Sequence, residues 1–294
     1  MVKTIVSKYY QNNDRTSMKH SVLIFLILFL FQTILFAQSE TKLFPSELLI
    51  QPFTANTLKP KIGFDFQTGK NELTLNIGTS IDILQFEKYE KKFSLGVELF
   101  NYTRLRQEAN FHFPVDAVDY FFGINFGYKK IKSERNNYGS RVRISHISAH
   151  LVDGRFNKKT NTWLYNKKPI VYSREFVEVI SFYRFNNLRI YGGVTYIFSI
   201  DPSNIGQDQY QLGLDYFAKN LISKNLTPYF AYDFRLINLF AYTGNNSLEA
   251  GIKYGFANGK GVSLYLKYFA GYNIHGEYFN IREKYLAIGF NFDL

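Results

Sequence analysis

Beyond residue 60 apolar residues recur at every second position, the period of a β-strand with two unlike faces. Leu73, Leu75 and Ile77 alternate with Thr74, Asn76 and Gly78, and Phe93, Leu95, Val97 and Leu99 alternate with Ser94, Gly96 and Glu98. The same rhythm runs through Tyr120–Tyr128, Tyr210–Tyr216, Leu248–Phe256 and Leu286–Leu294. No run of helical period exceeds two turns. The pattern predicts about twelve strands, near 61–67, 72–85, 93–105, 117–129, 139–151, 171–185, 187–199, 209–218, 227–235, 248–256, 261–270 and 281–293. Connections tend to alternate in length, the longer being 106–116, 152–170, 200–208, 236–247 and 271–280. Asn186-Asn187 and Asn258-Gly259-Lys260-Gly261 are good hairpin turns.

Strands of about ten residues, an even count and long loops on one side form the pattern of a transmembrane antiparallel β-barrel of the outer-membrane type. Closure is a physical requirement there, because an open sheet edge in hydrocarbon leaves several kcal/mol of unpaired backbone per group. The soluble alternative, a β-sandwich or lipocalin-like barrel, would turn the apolar face inward. Two features speak for the membrane. The polar face carries both charge signs (Glu98, Arg141, Arg143, Glu178, Asp215, Asp233, Lys253 and Lys267), which suits a narrow, partly filled lumen. Tyr102, Tyr120, Tyr128, Tyr268 and Tyr272 fall at strand ends, as in interfacial girdles.

Residues 22–36 read VLIFLILFLFQTILF, with Lys19 and His20 before and Ala37 after. A basic lead, an apolar run and a small residue at the cut predict a secretory signal peptide. The run is short of the ~20 residues a membrane-crossing helix needs. Met18 is a candidate start, so 1–37 reads as an N-terminal extension and signal peptide, 38–60 as a periplasmic lead-in and 61–294 as the barrel. The long loops then face outward. The alternating end at 286–294 is expected to engage the barrel-insertion machinery, with outer-membrane lipid as the other partner. The chain has 294 residues, net charge +11 and no cysteine. A disulfide scaffold, a Cys-ligated zinc site and a lipid-anchoring cysteine are therefore excluded. Nucleic-acid binding has only the net charge in its favour.

From Leu43 onward the chain resembles a bacterial envelope family catalogued as domain of unknown function 1207. The resemblance lies in LFPSELLIQPF (43–53), FPVDAVDYFFGINFGYKK (113–130), RVRISHISAHLVDG (141–154) and SREFVEVISFYRFNNLRIYGGVTYIFSIDP (173–202). It implies an exported, barrel-like protein and brings no activity with it.

One strand changes character partway. Val142 and Ile144 are succeeded on the same apolar face by His146, Ser148 and His150. On the next strand Glu175 and Ser173 continue the face that carries Val177 and Val179. If the two strands pair symmetrically about residue 161 or 162, Ser148 lies opposite roughly Glu175, at about 5 Å between Cβ atoms. His146 as base, Ser148 as nucleophile and Glu175 as the acid that orients the imidazole form an arrangement for acyl transfer. A lipid-facing His-x-Ser resembles the sites of outer-membrane phospholipase A and of lipid A deacylase barrels. It departs from them at Ala149, where those enzymes place Asn, and in having Glu rather than Asn as third member. No oxyanion donor is evident; a bound Ca²⁺ or a main-chain N–H would serve. The plain alternative is a set of ordinary interfacial residues. His146 and His150 stand four apart on one strand, roughly 13 Å, too far to share a metal ion. Arg155, Lys158 and Lys159 in loop 152–170, together with His150, are candidate binding residues for lipopolysaccharide phosphates or acidic ligands. Three roles remain open: a structural barrel or narrow solute channel, an esterase acting on phospholipid or lipid A, and a receptor or adhesin working through loops 152–170 and 236–247.

Overall fold

The computed structural model describes residues 40–133 and 135–293. The expected signal segment, 1–37, lies outside the described residues. Four single-turn 3₁₀ segments interrupt the strands, and no helix among the described residues is long and apolar enough to cross a membrane. Twelve strands form the wall: β1 (Ile62–Thr68), β2 (Glu72–Lys88), β3 (Lys91–Arg106), β4 (Val115–Ile131), β5 (Asn136–Leu151), β6 (Tyr172–Phe185), β7 (Leu188–Asp201), β8 (Asp208–Phe217), β9 (Leu226–Asn238), β10 (Tyr242–Gly255), β11 (Gly261–Tyr272) and β12 (Arg282–Asp293). Each pairs antiparallel with its neighbour in chain order. β12 returns to β1, with Phe292 opposite Ile62 and Leu286 opposite Thr68, so the sheet closes.

The two-residue period decides which side chains face where. Leu99, Leu266 and Leu286 point outward and are 66%, 62% and 57% exposed, while Arg143, Asp215 and Glu178 point inward and are 0%, 0% and 1% exposed. Glu98, Arg141, Asp233, Lys253 and Lys267 are buried with them. A soluble sandwich or lipocalin-like barrel would show the opposite order. The inward charges neutralise one another. Arg143 donates to Glu98 Oε2 at 3.2 Å and to Glu178 Oε2 at 3.0 Å, and Arg141 donates to Glu178 Oε1 at 3.3 Å. Lys267 and Lys61 both reach Asp65, at 3.3 and 2.8 Å.

The segment expected as a lead-in ahead of the barrel runs inside it from Leu49 onward. Its entry is fixed by Gln85, which donates to the Glu47 carbonyl at 2.8 Å, and by the Leu49 N–H, which donates to Asp82 at 2.8 Å. Leu58 lies deep in the lumen among Phe100, Tyr102, Phe121, Ile147, Phe176 and Ile197. The chain then returns to the end it entered, where β1 begins at Ile62. Phe53 is fully buried between Phe182 and Tyr191, with ring centroids at 6.3 and 4.3 Å. Backbone groups of this plug find partners on the wall: the Thr54 N–H donates to Asp215 at 3.0 Å, Arg189 donates to the Gln51 and Pro52 carbonyls at 2.8 and 2.6 Å, and Arg143 donates to the Leu58 carbonyl at 3.0 Å. A plug without its own secondary structure is stable only if its peptide groups are satisfied in this way.

The plug has a signature in the wall. Leu99-Phe100, Tyr120-Phe121-Phe122, Phe176-Val177, Val179-Ile180 and Ile197-Phe198 are places where both faces are apolar. In each, the inward residue (Phe100, Phe121, Phe176, Ile180 or Ile197) seats the plug and its neighbours face outward. Tyr102 belongs to the inward set: it is 3% exposed and packs edge-on against Phe100, so it is not part of an outer girdle. Tyr272 likewise lines a lumen cavity. Space around the plug includes cavities of about 50 and about 60 Å³. At ~10–15 Å³ per water by this measure, each has room for a few water molecules. The expected narrow channel is therefore filled by protein.

Strand bounds depart from the sequence reading mainly at β9 and β10. Their pairing extends through Arg235 opposite Asn245 and Ile237 opposite Thr243, so the loop expected over 236–247 shrinks to 239–241. Residues 243–247 on β10 are polar on both faces and Leu236-Ile237 on β9 apolar on both, and a backbone ladder needs no alternation to continue. The receptor reading loses this loop.

Replacing Arg143 by Ala leaves Glu98 and Glu178 short of a cation and the Leu58 carbonyl short of a donor. The expected cost is about 3–5 kcal/mol, read as a lower temperature for the heat-modifiable gel shift. The wild-type barrel is expected to be non-conducting in planar bilayers, and discrete open steps in that measurement would show that the plug does not fill the lumen.

Candidate active site on the outer face

The local sequence places the candidate residues outward. On β5 the odd positions Arg141, Arg143, Ser145 and Ile147 are buried inside, so Ile144, His146, Ser148 and His150 face away from the lumen. On β6 the even positions Phe176, Glu178 and Ile180 are buried, which puts Ser173, Glu175 and Val177 on the outer surface. β5 and β6 pair directly, with His146 opposite Glu175 and Ser148 opposite Ser173.

The register differs by two residues from symmetric closure of the loop. The connection is not symmetric, because 3₁₀ turns at Asp153–Arg155 and Leu164–Asn166 flank a short hairpin, Phe156–Asn157 with Thr162–Trp163. A slip of two keeps every side chain on its face. The effect is to bring Glu175 opposite the histidine rather than opposite the serine.

His146 Nδ1 lies 2.6 Å from Glu175 Oε1, with side-chain exposures of 25% and 32%. An ionised carboxylate only accepts, so Nδ1 carries the proton and Nε2 is left with a free lone pair. The ring of Phe122, on β4 opposite His146, lies 4.8 Å from the imidazole and limits its rotation. Ser173 donates to Glu175 Oε1 at 3.4 Å, and Ser199, opposite Glu175 on β7, is a further donor to the same carboxylate. Glu175 is thus held from β5, β6 and β7 together. Ser148 stands two residues from His146 on the same face, about 7 Å along the strand, with Tyr120 opposite it on β4.

Ser173 continues the apolar face in sequence, but Ser199 comes from the adjacent strand β7, where a bulge after Ile197 sets it opposite Glu175. His150 is exposed and lies edge-on to Tyr120, with ring centroids at 5.8 Å. Lys158 and Lys159 are exposed at the tip of the short hairpin. Arg155 is held inside the loop base instead. It lies 3.5 Å from Asp116 and stacks over Tyr165 and Tyr278 at 5.1 and 5.8 Å, so it has little freedom to meet a ligand. No group of three His, Asp or Glu side chains among the described residues is arranged to hold a metal ion. Beside Ser148 the carboxylate is Glu175, already engaged by His146, so this donor set does not fit calcium.

Residues 119–294 match the family described as protein of unknown function (DUF1207). The chain belongs to the DUF1207 family. The match spans nearly all of β4 and everything beyond it, including His146, Ser148 and Glu175; the 43–53 segment lies outside it. Among curated proteins none matches the chain in sequence. Among solved structures, this DUF1207 barrel is similar to the outer membrane phospholipase A of Escherichia coli, at 14% identity and TM-score 0.51 over 82% of this chain and 93% of the other. An active-site asparagine-to-alanine mutant of that protein aligns with TM-score 0.53 at 13% identity, over 81% of this chain and 92% of the other. The Salmonella typhi outer membrane phospholipase, a dimer with bound calcium, gives TM-score 0.50 at 13% identity, over 79% and 89%. At these identities the likeness establishes the shared barrel fold alone.

Proposed function

We propose that this DUF1207 chain is an outer-membrane acyl hydrolase acting on phospholipid or lipid A from the lipid-facing wall of the barrel. The observation that carries the reading is the 2.6 Å contact between His146 Nδ1 and Glu175 Oε1, two residues from Ser148 on the outer face. The filled lumen supports it, because it leaves the outer surface as the place where a substrate is met. The barrel fold shared with outer membrane phospholipase A supports it as well. On this reading His146 Nε2 takes the Ser148 hydroxyl proton as the oxygen attacks an ester carbonyl. Glu175 holds the imidazole tautomer and stabilises the imidazolium that forms. The proton then passes to the departing alcohol oxygen, and water, deprotonated by His146, releases the fatty acid from Ser148. The exposed Lys158 and Lys159 above the site offer positive charge to headgroup phosphates. The 286–294 strand remains the proposed recognition element for barrel insertion.

Purified protein in mixed micelles is expected to release acyl chains and to label with a fluorophosphonate. Ser148→Ala and His146→Ala should each lower release by roughly 10³-fold or more, and Glu175→Ala by roughly 10²–10⁴-fold. The double variant of His146 and Ser148 should be no worse than either alone, because the residues act as a unit. Undiminished release by Ser148→Ala would end the reading.

Orientation has its own measurement, made clean by the absence of cysteine. In intact cells a membrane-impermeant maleimide should label Lys159→Cys in the long loop and leave Lys91→Cys, at the short-turn end, unlabelled. The reverse pattern would invert the barrel and place the site at the inner leaflet.

A further inference from the structure

The lumen contains a site that the outer-face chemistry does not use. A cavity of about 60 Å³ lies between the tip of the plug and the long-loop end of the barrel, where Ile274 and Phe279 of the β11–β12 connection line it. Two arginines, Arg174 and Arg235, line it, and no Asp or Glu does. This separates it from the cavity at the other end, whose lining Lys59 and Lys253 pair with Glu249 and Asp293.

The polar atoms left unpaired at the cavity are donors. Asn273 is 8% exposed; its Oδ1 accepts the His275 N–H at 2.8 Å, and its Nδ2 has no partner. Arg235 is 5% exposed; its terminal nitrogens bond Gln211, Asn56 and Gln209 at 2.9, 3.2 and 3.4 Å and pair with Glu178 at 3.4 Å, and its Nε has no partner. Arg174 Nε is also buried without a partner. Among the described residues Arg174 forms no ion pair; its guanidinium rests 5.8–5.9 Å from the Phe176 and Tyr172 rings. Elsewhere in the lumen Arg143, Arg141 and Arg189 each meet a carboxylate. Arg174 has no carboxylate partner, and the unpaired polar atoms beside it, Asn273 Nδ2 and Arg235 Nε, are donors.

We infer that this cavity binds a small tetrahedral oxyanion of phosphate's size, held by Arg174, Arg235 and Asn273. Water would satisfy the donors but leave the Arg174 charge unbalanced, whereas an oxyanion supplies acceptors and charge together. At ~10–15 Å³ per water by this measure, the cavity holds the equivalent of about four to six waters. That matches the five heavy atoms of phosphate. The inference is independent of the His146–Ser148–Glu175 reading.

The test is calorimetric titration of the full-length barrel in detergent with inorganic phosphate, at fixed ionic strength, alongside Arg174→Gln and Asn273→Ala. Saturable one-to-one binding is expected, weakened at least tenfold by Arg174→Gln and several-fold by Asn273→Ala, with Ser148→Ala binding as wild type. Heat-modifiable mobility shows whether each variant is folded; if Arg174→Gln fails that check, Asn273→Ala decides. No saturable binding, or equal affinity in the folded variants and wild type, would overturn the site. Acetate is the second probe: binding of acetate without phosphate would overturn the tetrahedral assignment.

Discussion

Arg143 has no exposed surface, and its guanidinium holds Glu98, Glu178 and the Leu58 carbonyl at once. Those contacts join β3, β5 and β6 to the plug at a single point. The arrangement follows from closure. Once twelve strands pair into a ring, every second side chain is forced into a narrow interior, and charges there lose most of their water. Most of them find an opposite charge or a peptide group. The lumen is therefore a neutralised polar core, and the plug is part of its neutralisation.

A filled lumen changes where function can sit. Transport through the barrel would require the plug to leave Asp215, Arg189, Arg143 and Asp82 without their partners together. The outer face needs no such rearrangement. There, where β5, β6 and β7 approach the long loops, His146, Glu175, Ser173 and Ser199 form one hydrogen-bonded group. A carboxylate held from three strands fixes one ring orientation for His146, and Phe122 supports it from the fourth. Rigid placement of this kind is what a general base needs.

Much of the candidate site was legible from residue order alone. The outward direction of His146, Ser148 and Glu175 rests on the two-residue period, which no bulge interrupts where β5 pairs with β4 and β6. Their mutual register was not legible. It depends on how loop 152–171 folds, and the Phe156–Trp163 hairpin contact that takes up its length is local packing with no period to read. Ser199 was beyond reach for another reason: a bulge between Ile197 and Ser199 shifts the β6–β7 register by one residue and brings it opposite Glu175. Arg155 shows the limit from another side. As a basic loop residue it looked available, but its stacking on Tyr278, more than a hundred positions away, exists only in the folded mouth of the barrel.

The sequence by itself determined the strands, their number, the ring and the assignment of faces, because alternation is a local property and backbone satisfaction in a closed sheet leaves one arrangement. Tertiary structure decided that residues 49–61 turn back into the barrel. Nothing within that segment has a period; its conformation is dictated by Asp215, Arg189, Arg143 and the inward aromatics of strands far along the chain. The doubled apolar positions in the wall record its presence, but they acquire that meaning only once the interior is known to be closed and occupied. Pairing of His146 with Glu175 rather than Ser148 with Glu175 was settled at the same level, by the path of a loop whose folding depends on contacts outside itself.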